Sequence, residues 1–188
     1  MDKLKLGWMF DRTIKPYILI LVSIFAVSFL AGTLAPASLQ KEANEMYKYV
    51  ADELQGLSGG TLFFYIFSHN LLASILILVS GVLFGVIPIL AIGANGLFLG
   101  VLYRQVAEGI GYSSAAFKVL PHGVFEIPAL LIAASYGLWL GVMVVRRMRG
   151  KESTLLRSNI GHAFRQYLTV VFPLLIVAAG IETALGLQ

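Results

Sequence analysis

Three observations predict an all-α, polytopic transmembrane bundle of about five spans with interfacial amphipathic helices. Hydrophobic residues make up 58% of the 188 and charged residues only 13%, against about 25% charged in a soluble domain. From Thr61 to Tyr103, 43 consecutive residues contain no Lys, Arg, Asp or Glu. The basic residues sit beside the apolar runs, as they do at membrane boundaries. This much apolar side chain exceeds what so small a core can hold, so the surplus faces lipid. Residues 1–188 read as a single integral membrane domain whose first partner is the bilayer. The net charge of +4 is explained by topology, and no nucleic-acid partner is implied. The chain has no cysteine, which excludes disulfides and thiol chemistry, and no cofactor is implied.

The first span is predicted over 16–35, with Pro16 in its first turn. Lys3, Lys5, Arg12 and Lys15 precede it, and Ala35-Pro-Ala37 resembles a signal-peptide exit. The apolar run is about 20 residues long, which suits a bilayer span better than a 7–15-residue signal core, so it reads as a retained helix. A surface helix follows over 40–55. Ala43, Met46, Tyr47, Val50 and Leu54 recur at helical spacing, with Glu42, Glu45, Asp52 and Glu53 between them. Gly56 and Gly59-Gly60 end it.

As one helix the charge-free run would measure roughly 65 Å, about twice the hydrocarbon core, so it must turn. Gly81, Gly85 and Pro88 mark the bend, giving spans over 62–82 and 86–104. Asn95-Gly96 lies inside the third span and reads either as a break or as close helix packing through Gly96 and Gly100. Residues 105–120 read as a polar connector with a short helix capped by Ser113 or Ser114. The fourth span is predicted over 121–145, with Pro128 producing a local kink. Arg146 to Lys151 form a basic stop. Ser153 is expected to cap a second surface helix over 153–166, with Leu156, Ile160, Ala163, Phe164 and Tyr167 on one face. The last span is 167–187.

Counting basic residues orients the bundle. One side holds Lys3, Lys5, Arg12, Lys15, Arg146, Arg147, Arg149, Lys151, Arg157 and Arg165; the other holds Lys41, Lys48, Arg104 and Lys118. The positive-inside rule then places the N-terminus in the cytoplasm and the C-terminus outside, in a cell (plasma) membrane.

Six polar residues fall inside predicted spans: His69, Asn70, Asn95, His122, Glu126 and Glu182. Glu126 is the most telling, because a carboxylate in hydrocarbon needs a neutralising partner, a proton or water. His122 stands four residues before it and shares its helix face. The six are expected to converge on one outward-facing cluster. Such a cluster could lock helices together, form a pathway for an ion, proton or small solute, or bind a metal through His122, Glu126 and His69 for hydrolysis. No nucleotide-binding or serine-hydrolase motif supports other catalysis.

Gly81 with Gly85, Gly96 with Gly100, and Gly137 with Gly141 each match the close-packing spacing. They read as packing within one chain, with Gly137 and Gly141 alternatively supplying a homo-oligomer contact. Trp8 and Trp139 read as interface anchors.

The run Leu120-Pro-His-Gly-Val-Phe-Glu-Ile-Pro-Ala-Leu-Leu-Ile-Ala-Ala134 resembles the signature of the stage II sporulation protein M family. His69-Asn70 and Asn95-Gly-Leu-Phe-Leu-Gly100 fit the same pattern, and the resemblance covers about residues 12–187. The family often has Asn where this chain has His69. The resemblance implies a membrane class with His122, Glu126 and Pro128 as signature positions. In spore formers the founding member anchors a complex of peptidoglycan-degrading enzymes. The reading that results is a non-enzymatic membrane scaffold or assembly partner with membrane or cell-envelope protein partners. The alternative is a channel or transporter using the His/Glu/Asn cluster.

Overall fold

A computed structural model of the chain describes residues 12–151 and 153–185, with side chains described for all of these except residues 50, 51 and 118–122. Lys3, Lys5 and Trp8, and the side chains of Lys118 and His122, lie outside the described residues. The helices are α1 (Lys15–Thr33), α2 (Ala37–Leu54), α3 (Gly59–Ser80), α4 (Val86–Ile110), α5 (Tyr112–Met148), α6 (Leu156–Gln166) and α7 (Phe172–Leu185). No strand occurs among the described residues. Five stretches are long and apolar enough to cross a membrane: α1, α3, α4, Gly123–Met148 of α5, and Leu156–Leu185.

Pro16 lies in the first turn of α1, where its missing N–H would have had no partner anyway. The charge-free run folds back at residues 81–85, where Phe84 (φ 59°) and Gly85 (φ 74°) adopt left-handed backbone. α5 is the axis of the bundle. In its membrane window 61% of residues are buried, against 11–28% in the other four. Ala129, Ala133, Ala134, Tyr136, Leu138, Trp139 and Leu140 of α5 are all buried. The small ones let α3, α4 and α7 come close.

Glycine interlocks set the two tightest contacts. A Cβ on Gly81 would strike the backbone of Gly137, and one on Gly141 would lie 2.6 Å from the Gly81 carbonyl oxygen and the Gly85 Cα. Both Gly137 and Gly141 are buried there, so within this chain they are already covered and not free for a second copy. On the other side of α4, a Cβ on Gly96 would lie 2.6 Å from the Phe25 carbonyl oxygen, and one on Gly100 would lie 3.0 Å from the Thr33 nitrogen. Lipid tails give helices no hydrophobic reason to associate, so such close backbone contact supplies the attraction.

Two boundaries differ from the sequence expectation. α4 runs on to Ile110, and Gly111 (φ 87°) alone separates it from the 37-residue α5. The polar stretch after Tyr103 is helix, because Arg, Gln, Ala and Glu are good helix formers and Arg104 pairs with Glu108 one turn on. Gly111 holds the N-cap position of α5, so neither Ser113 nor Ser114 caps a helix. Of the two readings of Asn95-Gly96, close packing holds: α4 is continuous through it, and Gly96 lies against the backbone of α1.

Second, the amphipathic helix α6 ends at Gln166 without a break before the last span. It continues into α7 through a π-helical turn, Tyr167–Val171, in one stretch of 30 residues. Pro173 lacks an N–H and its ring would collide with the carbonyl of Thr169 in a regular helix. The wider turn absorbs this, and the Phe172 N–H bonds the Tyr167 carbonyl five residues back. Leu155, not Ser153, stands at the N-cap of α6, and no side chain caps it. The buried stripe is Asn159, Ala163 and Tyr167, while Phe164 is exposed.

Candidate functional site

The six polar residues divide by helix face. On α3 the buried stripe is Leu62, Ile66, Ser74, Ile77 and Leu78. Asn70 is half-buried and stands four residues from both Ile66 and Ser74, so it belongs to that stripe. His69 is exposed and shares the face of Leu72 and Leu76, which are 61% and 58% exposed. On α4, Asn95 is exposed and its Nδ2 donates to the Ala91 carbonyl at 2.9 Å.

On α5, Glu126 precedes Ala129 and Ala133 by three and seven residues and so continues their buried stripe. It is half-buried, and its Oε2 atom is sealed from solvent. On α7, Glu182 follows Ala178 and Ala179 by four and three residues and is also half-buried. Asn70, Glu126 and Glu182 therefore lie on core-facing stripes, whereas His69 and Asn95 are exposed. Among the described residues no three His, Asp or Glu side chains gather closely enough to hold a metal ion. His122 is in α5, four residues before Glu126, but its side chain lies outside the described residues.

The end of the bundle that carries α2 is a built polar layer. Arg104 donates from Nε to Glu108 at 2.8 Å and from Nη1 to the Thr33 carbonyl at 3.1 Å. A guanidinium thus satisfies a free carbonyl at the C-terminus of α1. Gln40 donates to the Ala35 carbonyl at 2.7 Å, and Gln105 donates to the Gln40 carbonyl. Tyr65 on α3 donates to the Glu53 carboxylate near the far end of α2 at 2.9 Å. Both ends of α2 are tied down, yet Met46, Tyr47 and Tyr49 remain 56%, 41% and 65% exposed. Gln40, Lys41, Asn44, Gln105 and Glu108 line an open hollow of about 430 Å³ between α2 and α4.

The sequence reading missed two polar features at the other end. Ser74 and Tyr167 form a buried hydroxyl–hydroxyl hydrogen bond of 2.7 Å that joins α3 to the π turn. Tyr136, Trp139 and His162 pack edge to face, with ring centroids 5.8–6.3 Å apart. Trp139 is therefore core, at 7% exposed, and not an interface anchor. Pro173 was the one visible signal for the π turn, since a proline one residue inside a helix demands a local adjustment.

The family model for stage II sporulation protein M matches residues 19–185. An uncharacterized protein of Methanocaldococcus jannaschii is 26% identical over 169 residues, covering 88% of this chain and 90% of its own. No solved structure matches the chain. The match takes in all but the first four residues of the five long apolar stretches and the whole of the glycine-interlocked core, so the chain belongs to the stage II sporulation protein M family.

Proposed function

We propose that the chain is a non-enzymatic membrane scaffold: a rigid bundle that displays α2 and the adjoining ends of α4 and α5 to a partner protein at the membrane surface. The observation that carries this reading is the state of α2. It is anchored at both ends by side-chain hydrogen bonds, and between the anchors it presents Met46, Tyr47 and Tyr49 to the surroundings. Aromatic and methionine side chains on a rigid support are the usual anchors of protein interfaces. Glu42, Glu45, Asp52 and Glu53 flank them, which favours a partner with basic residues. In the orientation expected from the basic residues, this surface faces out of the cell, toward the cell envelope.

The test is co-purification from native membranes. The paired substitution Tyr47→Ser, Tyr49→Ser should release a partner that the wild-type chain retains, with the helical fold retained. A protein that captures nothing, or captures the same proteins with and without the tyrosines, is not this scaffold.

A second reading is favoured by one observation, the sealed Oε2 of Glu126 on a core-facing stripe with Asn70 and Glu182 on neighbouring helices. These groups would handle an ion or proton. Purified protein in liposomes that dissipates neither a proton, sodium nor potassium gradient removes this reading.

A further inference from the structure

We infer that the face formed by α3 and α4 is a contact between two copies of this chain, held by Asn95 and His69 at the bilayer midplane. The inference is independent of the α2 reading.

His69 precedes Gly81 by twelve residues and Asn95 follows Gly85 by ten. At a rise of about 1.5 Å per residue they lie roughly 18 and 15 Å from the turn that joins their helices. In a hydrocarbon core about 30 Å thick, both are near the middle. Both are exposed on the surface of one copy. Polar side chains at this depth ordinarily face a bundle interior or water, because hydrocarbon offers no hydrogen bonds. Asn95 directs one N–H to the Ala91 carbonyl; the carboxamide has a second N–H and an acceptor oxygen to satisfy as well.

The occupant is identified by what these groups can pair with. A carboxamide carries donors and acceptors together, and so does a neutral imidazole. Each is complementary to itself. Across a two-fold axis, Asn95 of each copy donates to Asn95 of the other, and one contact closes the assembly. The flanking residues do not obstruct this. Ala94 is exposed, and Ala91 and Phe98, each within one turn of Asn95, are half-buried. The close-packing glycines are already used within the chain: Gly96 and Gly100 face α1, and Gly137 and Gly141 face Gly81 and Gly85. A dimer through this face leaves the α2 surface of each copy open.

The chain has no cysteine, so single-cysteine probes are unambiguous. Ala94→Cys is made in the full-length chain with Asn95 intact. Ala26→Cys is the control, exposed on α1. Oxidation in native membranes should convert Ala94→Cys to a disulfide dimer and leave Ala26→Cys monomeric. Resonance energy transfer between copies labelled at Ser58→Cys, diluted in phosphatidylcholine vesicles, should show Asn95→Leu raising the dissociation constant about tenfold, equivalent to about 1.4 kcal/mol. His69→Leu should add to it. Three outcomes overturn the inference. One is equal cross-linking of Ala94→Cys and Ala26→Cys. The second is an Ala94→Cys adduct to a protein of different mass with no self-dimer. The third is rapid labelling of Asn95→Cys by a membrane-impermeant maleimide, which would place the residue in water. An unchanged dissociation constant in Asn95→Leu overturns the role of the side chain directly.

Discussion

Gly100→Ala is the sharpest test of what holds α1 in place. A Cβ there would fall 2.9 Å from the carbonyl carbon of Phe29 and 3.0 Å from the nitrogen of Thr33, and closer still to the Phe29 carbonyl oxygen. All three are backbone atoms, so no side chain can swing away. Carbon contacts are most favourable at about 3.5–4.0 Å, and the Phe29 oxygen, the nearest atom, sets the shift, so α1 must retreat by about 1 Å. A gap of that size forfeits about half of each dispersion contact across it. Only 11% of the residues in the α1 window are buried, and α1 packs mainly on α4, so it has little else to hold it. The expected loss is about 1–3 kcal/mol, the usual range for overpacking.

Gly93→Ala supplies the internal control. Its nearest neighbour would be the Ser28 hydroxyl at 3.5 Å, an ordinary contact, so its stability should stay within about 0.5 kcal/mol of wild type. Both glycines lie in α4, so differences in helix propensity cancel. Equilibrium unfolding in mixed micelles reads both variants. Equal stability of the two would refute the idea that backbone approach at Gly100 binds α1 to α4.

Three further outcomes follow from the hydrogen bonds. Ser74 donates to the Leu71 carbonyl at 3.0 Å, which leaves its oxygen to accept from Tyr167. Tyr167→Phe should therefore lower unfolding stability by about 1 kcal/mol, and a double-mutant cycle with Ser74→Ala should give a coupling of about 0.6 kcal/mol, at most about 1.7. Arg104→Ala removes the bonds to Thr33 and Glu108 and should speed trypsin cleavage after Lys41 and Lys48, while the membrane spans stay protected. Tyr49 lies outside the spans, and its phenol is held above its ordinary pKa of 10.0 by a hydrogen bond to Glu53 and by that carboxylate's charge. The folded state thus favours the neutral phenol. The contribution is present below pH 10 and fades as pH rises through the raised value. Spectrophotometric titration of Glu53→Gln should show that tyrosine ionising at lower pH than in wild type.

The membrane class, the spans and the hairpin bend were legible in the sequence because each rests on a long-range regularity. A 43-residue charge-free run has few interpretations in lipid. The connector after Tyr103 was not legible, because polarity marks the end of the hydrocarbon core and not the end of a helix. Arg104, Gln105 and Glu108 are polar, yet the backbone stays helical through them to Ile110. The π turn was hidden for a related reason, since Pro173 announces an adjustment without saying which. Trp139 was misread because an aromatic near a basic stop fits an interface anchor equally well. Only the burial of Tyr136 and the packing of His162 distinguish core from boundary there. The polar residues were legible one by one, yet their facing depended on a rotation of each helix that hydropathy does not define.

Glu126 separates the two proposed functions more cleanly than any other position. Glu126 lies within the 37-residue α5, at the end of the buried stripe formed by Ala129 and Ala133. A carboxyl group there can serve as a structural hydrogen-bonding group between helices, and Gln has the same shape and retains an acceptor. In a scaffold, Glu126→Gln should keep thermal stability within about 1 kcal/mol and leave co-purification through α2 intact. Glu126→Leu should cost about 1–3 kcal/mol, because polar partners that the carboxyl group satisfied would remain buried without it. In a transporter the order reverses: Gln cannot release a proton, so Glu126→Gln abolishes flux while the fold persists. Measuring both properties on the same preparation decides between them. A Glu126→Gln protein that is stable, assembles normally and has lost a flux present in wild type would refute the scaffold reading, since no structural role of the carboxyl group predicts that combination.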